Sequence, residues 1–219
     1  YLGVARGGWL DYVGLQPQQP VTALRETFEC VRHLLRQNKQ PYHGKVFSAA
    51  GGDSLRWSIK RSNIPFLLGS WGEKTISACT GLVDEIKIGG TANPAVAPYF
   101  RRKMELAMPR ADAEAESTGI VVGAVTVVDH DGQAARALAR REVALYLPLV
   151  AELDPTLSLD PELLARIQAA AEQYDFEQAA ALISDDILGY FALAGTPDEV
   201  AERAQVLLDA GTNRVEFGK

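Results

Sequence analysis

Two glycine-marked turns carry the residues most able to do chemistry in this chain. Gly69-Ser70-Trp71-Gly72-Glu73-Lys74 and Gly89-Gly90-Thr91-Ala92-Asn93-Pro94 occupy equivalent points of consecutive βα units, each after a short apolar strand and before a helix. A glycine-rich turn that opens a helix aims backbone N–H groups and the positive end of the helix dipole at one point, so an anion binds there without a cationic pocket. Side by side in a parallel sheet, two such turns would face the same space, which points to a phosphate-bearing cofactor. Ordinary tight βα turns are the competing explanation of the same residues.

The elements that must hold these turns follow from hydrophobic spacing. A strand opens the chain at Tyr1–Ala5, and Val21, Leu24, Phe28, Val31, Leu34 and Leu35 recur at helical intervals, predicting a helix to about Gln37. Tyr42 to Phe47 suits a small hairpin or an excursion between units, with Gly51-Gly52 as a turn. Strands Phe66–Gly69, Glu85–Ile88 and Ile120–Val128 then alternate with helices Glu73–Leu82 and Ala95–Met108, the βαβαβ pattern of a parallel sheet. From Gly132 to Ala210 the pattern is helical, broken at Asp154-Pro155, Asp160-Pro161 and Gly195-Thr196-Pro197. Asp160 and Thr196 suit N-caps, Pro161 and Pro197 suit first helical positions, and Glu199 completes a capping box with Thr196. Asp185 is expected to cap a helix as well. Arg214 to Gly218 closes the chain as a strand, giving five strands and two possible architectures: an open doubly wound sheet, or the later part of an eight-stranded barrel.

Composition narrows the partners. With 219 residues, 47% of them hydrophobic, the chain can bury a core of one large domain or a short α/β barrel. A net charge of -6 and a pI near 5.2 argue against nonspecific attraction to nucleic acid or an anionic membrane. The cationic runs Arg101-Arg102-Lys103 and Arg136 to Arg141 are expected to be solvated helix faces. Cys30 and Cys79 lie in apolar helix-like segments, the pattern of reduced buried thiols in a cytoplasmic protein. His33, His43 and His130 lack metal-ligand spacing, and Asp129-His130-Asp131-Gly132 is expected to be a turn capping the next helix, so no metal is expected. No apolar run approaches the roughly 18 residues that a spanning helix needs.

Four segments, in order, carry a family likeness: Leu2-Gly3-Val4-Ala5-Arg6-Gly7-Gly8-Trp9; Pro65-Phe66-Leu67-Leu68-Gly69-Ser70-Trp71-Gly72-Glu73-Lys74; Gly89-Gly90-Thr91-Ala92-Asn93-Pro94; and Ala194-Gly195-Thr196-Pro197-Asp198-Glu199-Val200 with Val215-Glu216-Phe217-Gly218. Together they resemble the luciferase-like monooxygenase superfamily, and within it the deazaflavin-dependent oxidoreductases related to methylenetetrahydromethanopterin reductase. The resemblance implies a (β/α)8 TIM barrel, here a single partial domain over residues 1–219. Tyr1–Ala5 takes the place of the fourth strand and Arg214–Phe217 that of the eighth, with a long helical insertion before the last strand. The first three strands would be missing, so the chain is expected to be a fragment of a longer polypeptide or to pair with a partner that restores them.

That resemblance implies a hydride-transferring oxidoreductase that uses the deazaflavin coenzyme F(420). The alternatives are an FMN-dependent monooxygenase and a noncatalytic flavin-binding or assembly subunit. Gly69, Ser70, Trp71, Gly72, Lys74, Gly89, Gly90 and Thr91 would contact the cofactor, with its phosphate end at the two turns. A lysine at position 74, in the first helical turn, opposes the helix dipole, a cost more readily understood if a bound phosphate lies nearby; the alternative is that it faces solvent. Arg6, Gly7 and Trp9, at the end of the first strand, would meet substrate, Arg6 by recognising an anion and Trp9 by walling the pocket as Trp71 could. A salt-bridged loop arginine and two packing tryptophans are the plainer alternatives. No general acid or base is named, because the cofactor carries hydride chemistry. The expected partners are a small-molecule substrate and a second copy of the chain in a homodimer.

Overall fold

A computed structural model describes residues 1–7, 10–107 and 118–218. In chain order the elements are β1 (Leu2–Ala5), a 3-10 turn (Leu10–Val13), α1 (Pro20–Leu35), β2 (Tyr42–His43), β3 (Ser48–Ala49), β4 (Phe66–Gly69), α2 (Glu73–Cys79), β5 (Glu85–Gly89), α3 (Val96–Ala107), β6 (Gly119–Val128), α4 (Gly132–Ala144), α5 (Leu147–Leu153), α6 (Pro161–Glu172), α7 (Phe176–Ala181), α8 (Asp185–Phe191), β7 (Ala192–Gly195), α9 (Pro197–Asp209) and β8 (Arg214–Gly218). Trp9 and Met108 lie outside the described residues. Two compact units form, Tyr1–Ile86 with Lys103–Thr118, and Lys87–Arg102 with Gly119–Lys219.

In the first unit, β1 and β4 pair in parallel with Leu2 opposite Phe66 and Ala5 opposite Gly69. One face of α1 packs on β4: the Phe28 and Phe66 rings lie tilted with centroids 5.3 Å apart, and Leu24, Leu68, Ile76 and Cys79 are buried as well. Arg32 from α1 sits 4.9 Å over the Phe66 ring and donates to the Leu82 carbonyl at 2.9 Å, satisfying a cation beside an apolar core. Of the two readings of this stretch the hairpin is the one that forms, from β2 and β3 with Tyr42 opposite Ala49, its second strand lying just past Phe47. The buried Glu26 of α1 holds it, accepting the N–H groups of Lys45, Val46 and Phe47 at 2.7–2.9 Å.

In the second unit the long strand β6 is buried from Gly119 to Val125. It pairs in parallel with β8 along Val121–Val125 and with β7 along Val125–Val128. Val122, Ala124, Leu193, Val200 and Leu207 form one core cluster, with Val215 packed against it. Three of the caps are those the sequence predicts. Asp131 accepts from Gln133 and Ala134, Asp160 from Glu162, and Thr196 and Glu199 form the reciprocal capping box.

Three expectations need correction. All five expected strands are present, but Ala192–Gly195 is a further strand instead of a helix end, because Val125–Val128 offers it an open ladder. Ser184, not Asp185, caps α8, its Oγ accepting from Ile187 at 3.3 Å, while Asp185 pairs with Arg140. The arginines of α4 do not simply face water. Arg136 reaches Glu199, Arg140 reaches Asp185 and the Ile183 carbonyl, and Arg141 reaches Glu177, tying α4 to three other helices. Likewise Arg101 donates to Asn213 and Lys103 pairs with Glu73. Among the described residues, no helix is long and apolar enough to cross a membrane, and no cluster of three His, Cys, Asp or Glu could hold a metal.

Candidate functional site

The first turn leaves β4 at Gly69, where β1 and β4 approach so closely that a Cβ on Gly69 would lie 3.2 Å from the Ala5 Cβ. Since Ala5 is opposite Gly69, the register sets Arg6 and Ser70 side by side just past the strand ends. The structure therefore brings Arg6 and Gly7 together with Ser70, Trp71 and Gly72. Arg6 is exposed, Gly7 is exposed with φ +88°, and Trp71 is half-buried. Ser70 Oγ accepts from the Gly72 N–H at 3.0 Å. Gly72 is the N-cap of α2 and, having no side chain, makes no side-chain cap hydrogen bond. Lys74 is exposed in that turn and, among the described residues, makes no ion pair.

The second turn is built differently. Gly90, at φ +80°, donates its N–H to the Gly123 carbonyl at 2.7 Å, and Thr91 donates to the same oxygen at 3.1 Å. The Ala92 N–H goes to the Tyr190 carbonyl at 2.7 Å, and that of Asn93 to Thr91 Oγ at 3.0 Å. Thr91 is fully buried, and its hydroxyl also donates to Tyr190. The N–H groups expected to converge on a phosphate are thus committed inward. A Cβ on Gly90 would lie 2.9 Å from Val150 Cγ2, whereas one on Gly89 would meet nothing within 4 Å. Gly90 serves packing, and Gly89 borders open space.

Sequence inspection missed two clusters in the second unit. Gly123 leaves room for Lys87 of β5 to cross β6 and pair with Glu216 of β8, which Arg214 also contacts at 2.6 Å. Burial works to raise the Glu216 pKa, but Lys87 and then Arg214 outweigh it and hold the carboxyl below its ordinary value. The second cluster is buried: Asn93 Nδ2 donates to Asp154 Oδ2 at 2.9 Å and to Thr156 Oγ1 at 3.0 Å, and Thr156 donates to Asp154 Oδ1 through its N–H and hydroxyl. The Asp-Pro break at 154 was visible in the sequence, but its partner sixty-one positions earlier was not.

The sequence matches the luciferase-like monooxygenase family over residues 2–214. It is 27% identical over 207 residues to the 5,10-methylenetetrahydromethanopterin reductase of Methanopyrus kandleri, covering 91% of this chain and 57% of that protein. The solved coenzyme F(420)-dependent tetrahydromethanopterin reductase from Methanopyrus kandleri superposes with a TM-score of 0.82 at 24% identity, over 98% of this chain and 66% of that one. An F(420)-dependent secondary alcohol dehydrogenase, solved with an F(420)-acetone adduct, gives 0.69 at 15% identity, over 99% and 62%. The chain thus spans about three-fifths to two-thirds of the length of these relatives. Its α/β fold with parallel strands is of the luciferase-like barrel class. By this match along nearly its whole length, the chain belongs to the luciferase-like monooxygenase family.

Proposed function

We propose that the natural polypeptide carrying this chain is an oxidoreductase that transfers a hydride between a deazaflavin coenzyme and an organic substrate. The observation that carries the proposal is the family match over residues 2–214, together with the likeness to a reductase and a dehydrogenase whose names state dependence on F(420). The coenzyme supplies the hydride chemistry when bound; the chain's residues bind and orient it. The family likeness suggests an anionic group at the first turn, where Gly72 brings no side chain and Lys74 stands exposed. Gly69, Ser70, Trp71, Gly72 and Lys74 would hold the phosphate end. Arg6 and Gly7, on the same strand ends, would meet a substrate or an anionic tail. Trp9 keeps its proposed pocket role from the sequence. Within its own unit, the second turn leaves open space beside Gly89, which would contact the coenzyme, with Gly90 and Thr91 holding that turn. The proposed assembly is a homodimer.

Fluorescence titration with F(420) and, separately, with FMN tests the proposal on the natural polypeptide and its Gly72→Asp variant. Micromolar binding of F(420) that the variant abolishes is expected. Binding of FMN alone would assign a flavin monooxygenase instead, and binding of neither by folded protein would overturn an enzymatic role for this site.

A further inference from the structure

We propose that Asp154 is a positioning residue: through Asn93 and Thr156 it locks the turn after β5, so that Gly89 is presented as a fixed wall to the coenzyme. This rests on the deazaflavin function proposed above.

The N–H groups of Gly90 to Asn93 and of Ala95 are all engaged. The amides of Gly90 and Thr91 are held by the Gly123 carbonyl of β6, and that of Ala92 by the Tyr190 carbonyl of α8. Gly90 packs against Val150 of α5 and the adjoining Tyr146. Asn93 is the node: its Oδ1 accepts from Ala95 N–H at 3.0 Å at the entry to α3, while its Nδ2 reaches back to Asp154 and Thr156. Both Asn93 and Asp154 are 3% exposed, so water cannot substitute for a lost partner. The helical stretch between β6 and β7 thereby grips the turn from two points, α5 with its following loop and α8. A turn that offers no N–H group outward, yet is fixed on three sides while one glycine borders open space, suits preorganisation of a ligand surface.

The donor–acceptor pattern makes Asp154 specific. Asn93 Oδ1 is already committed to Ala95, so its amide nitrogen must face position 154, which therefore has to accept. An asparagine at 154 would turn an N–H2 group either on Asn93 Nδ2 or on the Thr156 N–H. The reciprocal exchange, Asn93→Asp with Asp154→Asn, restores a matched pair, because an aspartate at 93 still accepts from Ala95.

The test uses the natural polypeptide, with F(420) affinity read by fluorescence and amide exchange read over residues 89–93, at a temperature where circular dichroism shows each variant folded. Asp154→Asn is expected to weaken F(420) binding about tenfold and speed exchange in the turn, with the exchanged pair recovering most of both. Thr156→Val, which removes only the bridging hydroxyl, should give a smaller loss of the same kind. If both single variants speed exchange but bind F(420) as the parent does, Asp154 is structural and the positioning role is refuted while the proposed function stands. Unchanged exchange would refute the lock itself. If the parent binds no F(420), the function proposed above fails and this inference falls with it.

Discussion

Gly90→Ala separates a glycine the fold requires from one a ligand could use. At φ +80° an alanine pays a left-handed backbone penalty of about 1–2 kcal/mol. Its Cβ would lie 2.9 Å from Val150 Cγ2 and 3.3 Å from Tyr146 Cε2, inside the 3.5–4.0 Å optimum for carbon contacts. Val150 is buried and Tyr146 half-buried, so neither yields freely, and overpacking adds about 1–3 kcal/mol. The sum is about 2–5 kcal/mol, or roughly a 10 °C fall in Tm for a chain of this size. Gly89→Ala is the control. Its Cβ meets nothing within 4 Å and its φ is not positive, so its stability should stay within about 1 kcal/mol of the parent. Urea unfolding followed by circular dichroism measures both. Equal costs at the two positions, or a loss below about 1 kcal/mol for Gly90→Ala, would refute the assignment of Gly90 to packing.

Further outcomes can be checked independently. Burial works to raise the Glu26 pKa, but the amides of Phe47, Val46 and Lys45, with Arg25 nearby, outweigh it and set it below the ordinary 4.5. A carboxyl lowered in the folded state stabilises above its unfolded pKa and loses that contribution as pH falls through the folded one. Amide exchange at residues 45–47 should therefore quicken only on acidification below pH 4.5, and Glu26→Gln should remove that acid step; an identical acid profile in the variant would count against it. Burial pushes the Cys79 thiol up to about 11, leaving roughly one thiolate per thousand at pH 8, so a disulfide reagent should modify Cys79 only after unfolding. Thr196→Ala removes one half of the capping box and should cost about 1 kcal/mol in urea unfolding, with most of the loss absent from Thr196→Ser.

The extent to which the chain was legible follows from the range of each interaction. Thr196 with Glu199, Asp131 with Gln133 and Asp160 with Glu162 bond across two or three positions, so residue type alone predicts them. The one-residue error at Ser184 and Asp185 arose because both are good caps and the local pattern does not rank them. β7 escaped notice because Ala192–Gly195 follows Phe191 with no breaker between, and its identity as a strand comes from a ladder with Val125–Val128. The arginines of α4 had the spacing of a solvated face; their acids lie on α7, α8 and α9.

At the candidate site the division is the same. The sequence by itself determined the βα order, the two glycine turns and the place of Arg6 at a strand end, because short-range propensity and hydrophobic period specify elements and their punctuation. Only the tertiary structure decided what each turn does. The N–H groups of Gly90, Thr91 and Ala92 find carbonyls on β6 and α8, and Asn93 finds Asp154, all through contacts more than thirty positions apart. Gly72, by contrast, brings no side chain to the cap of α2. Two turns of like composition differ because a backbone donor's direction is set by what packs against it, and that is a property of the folded chain.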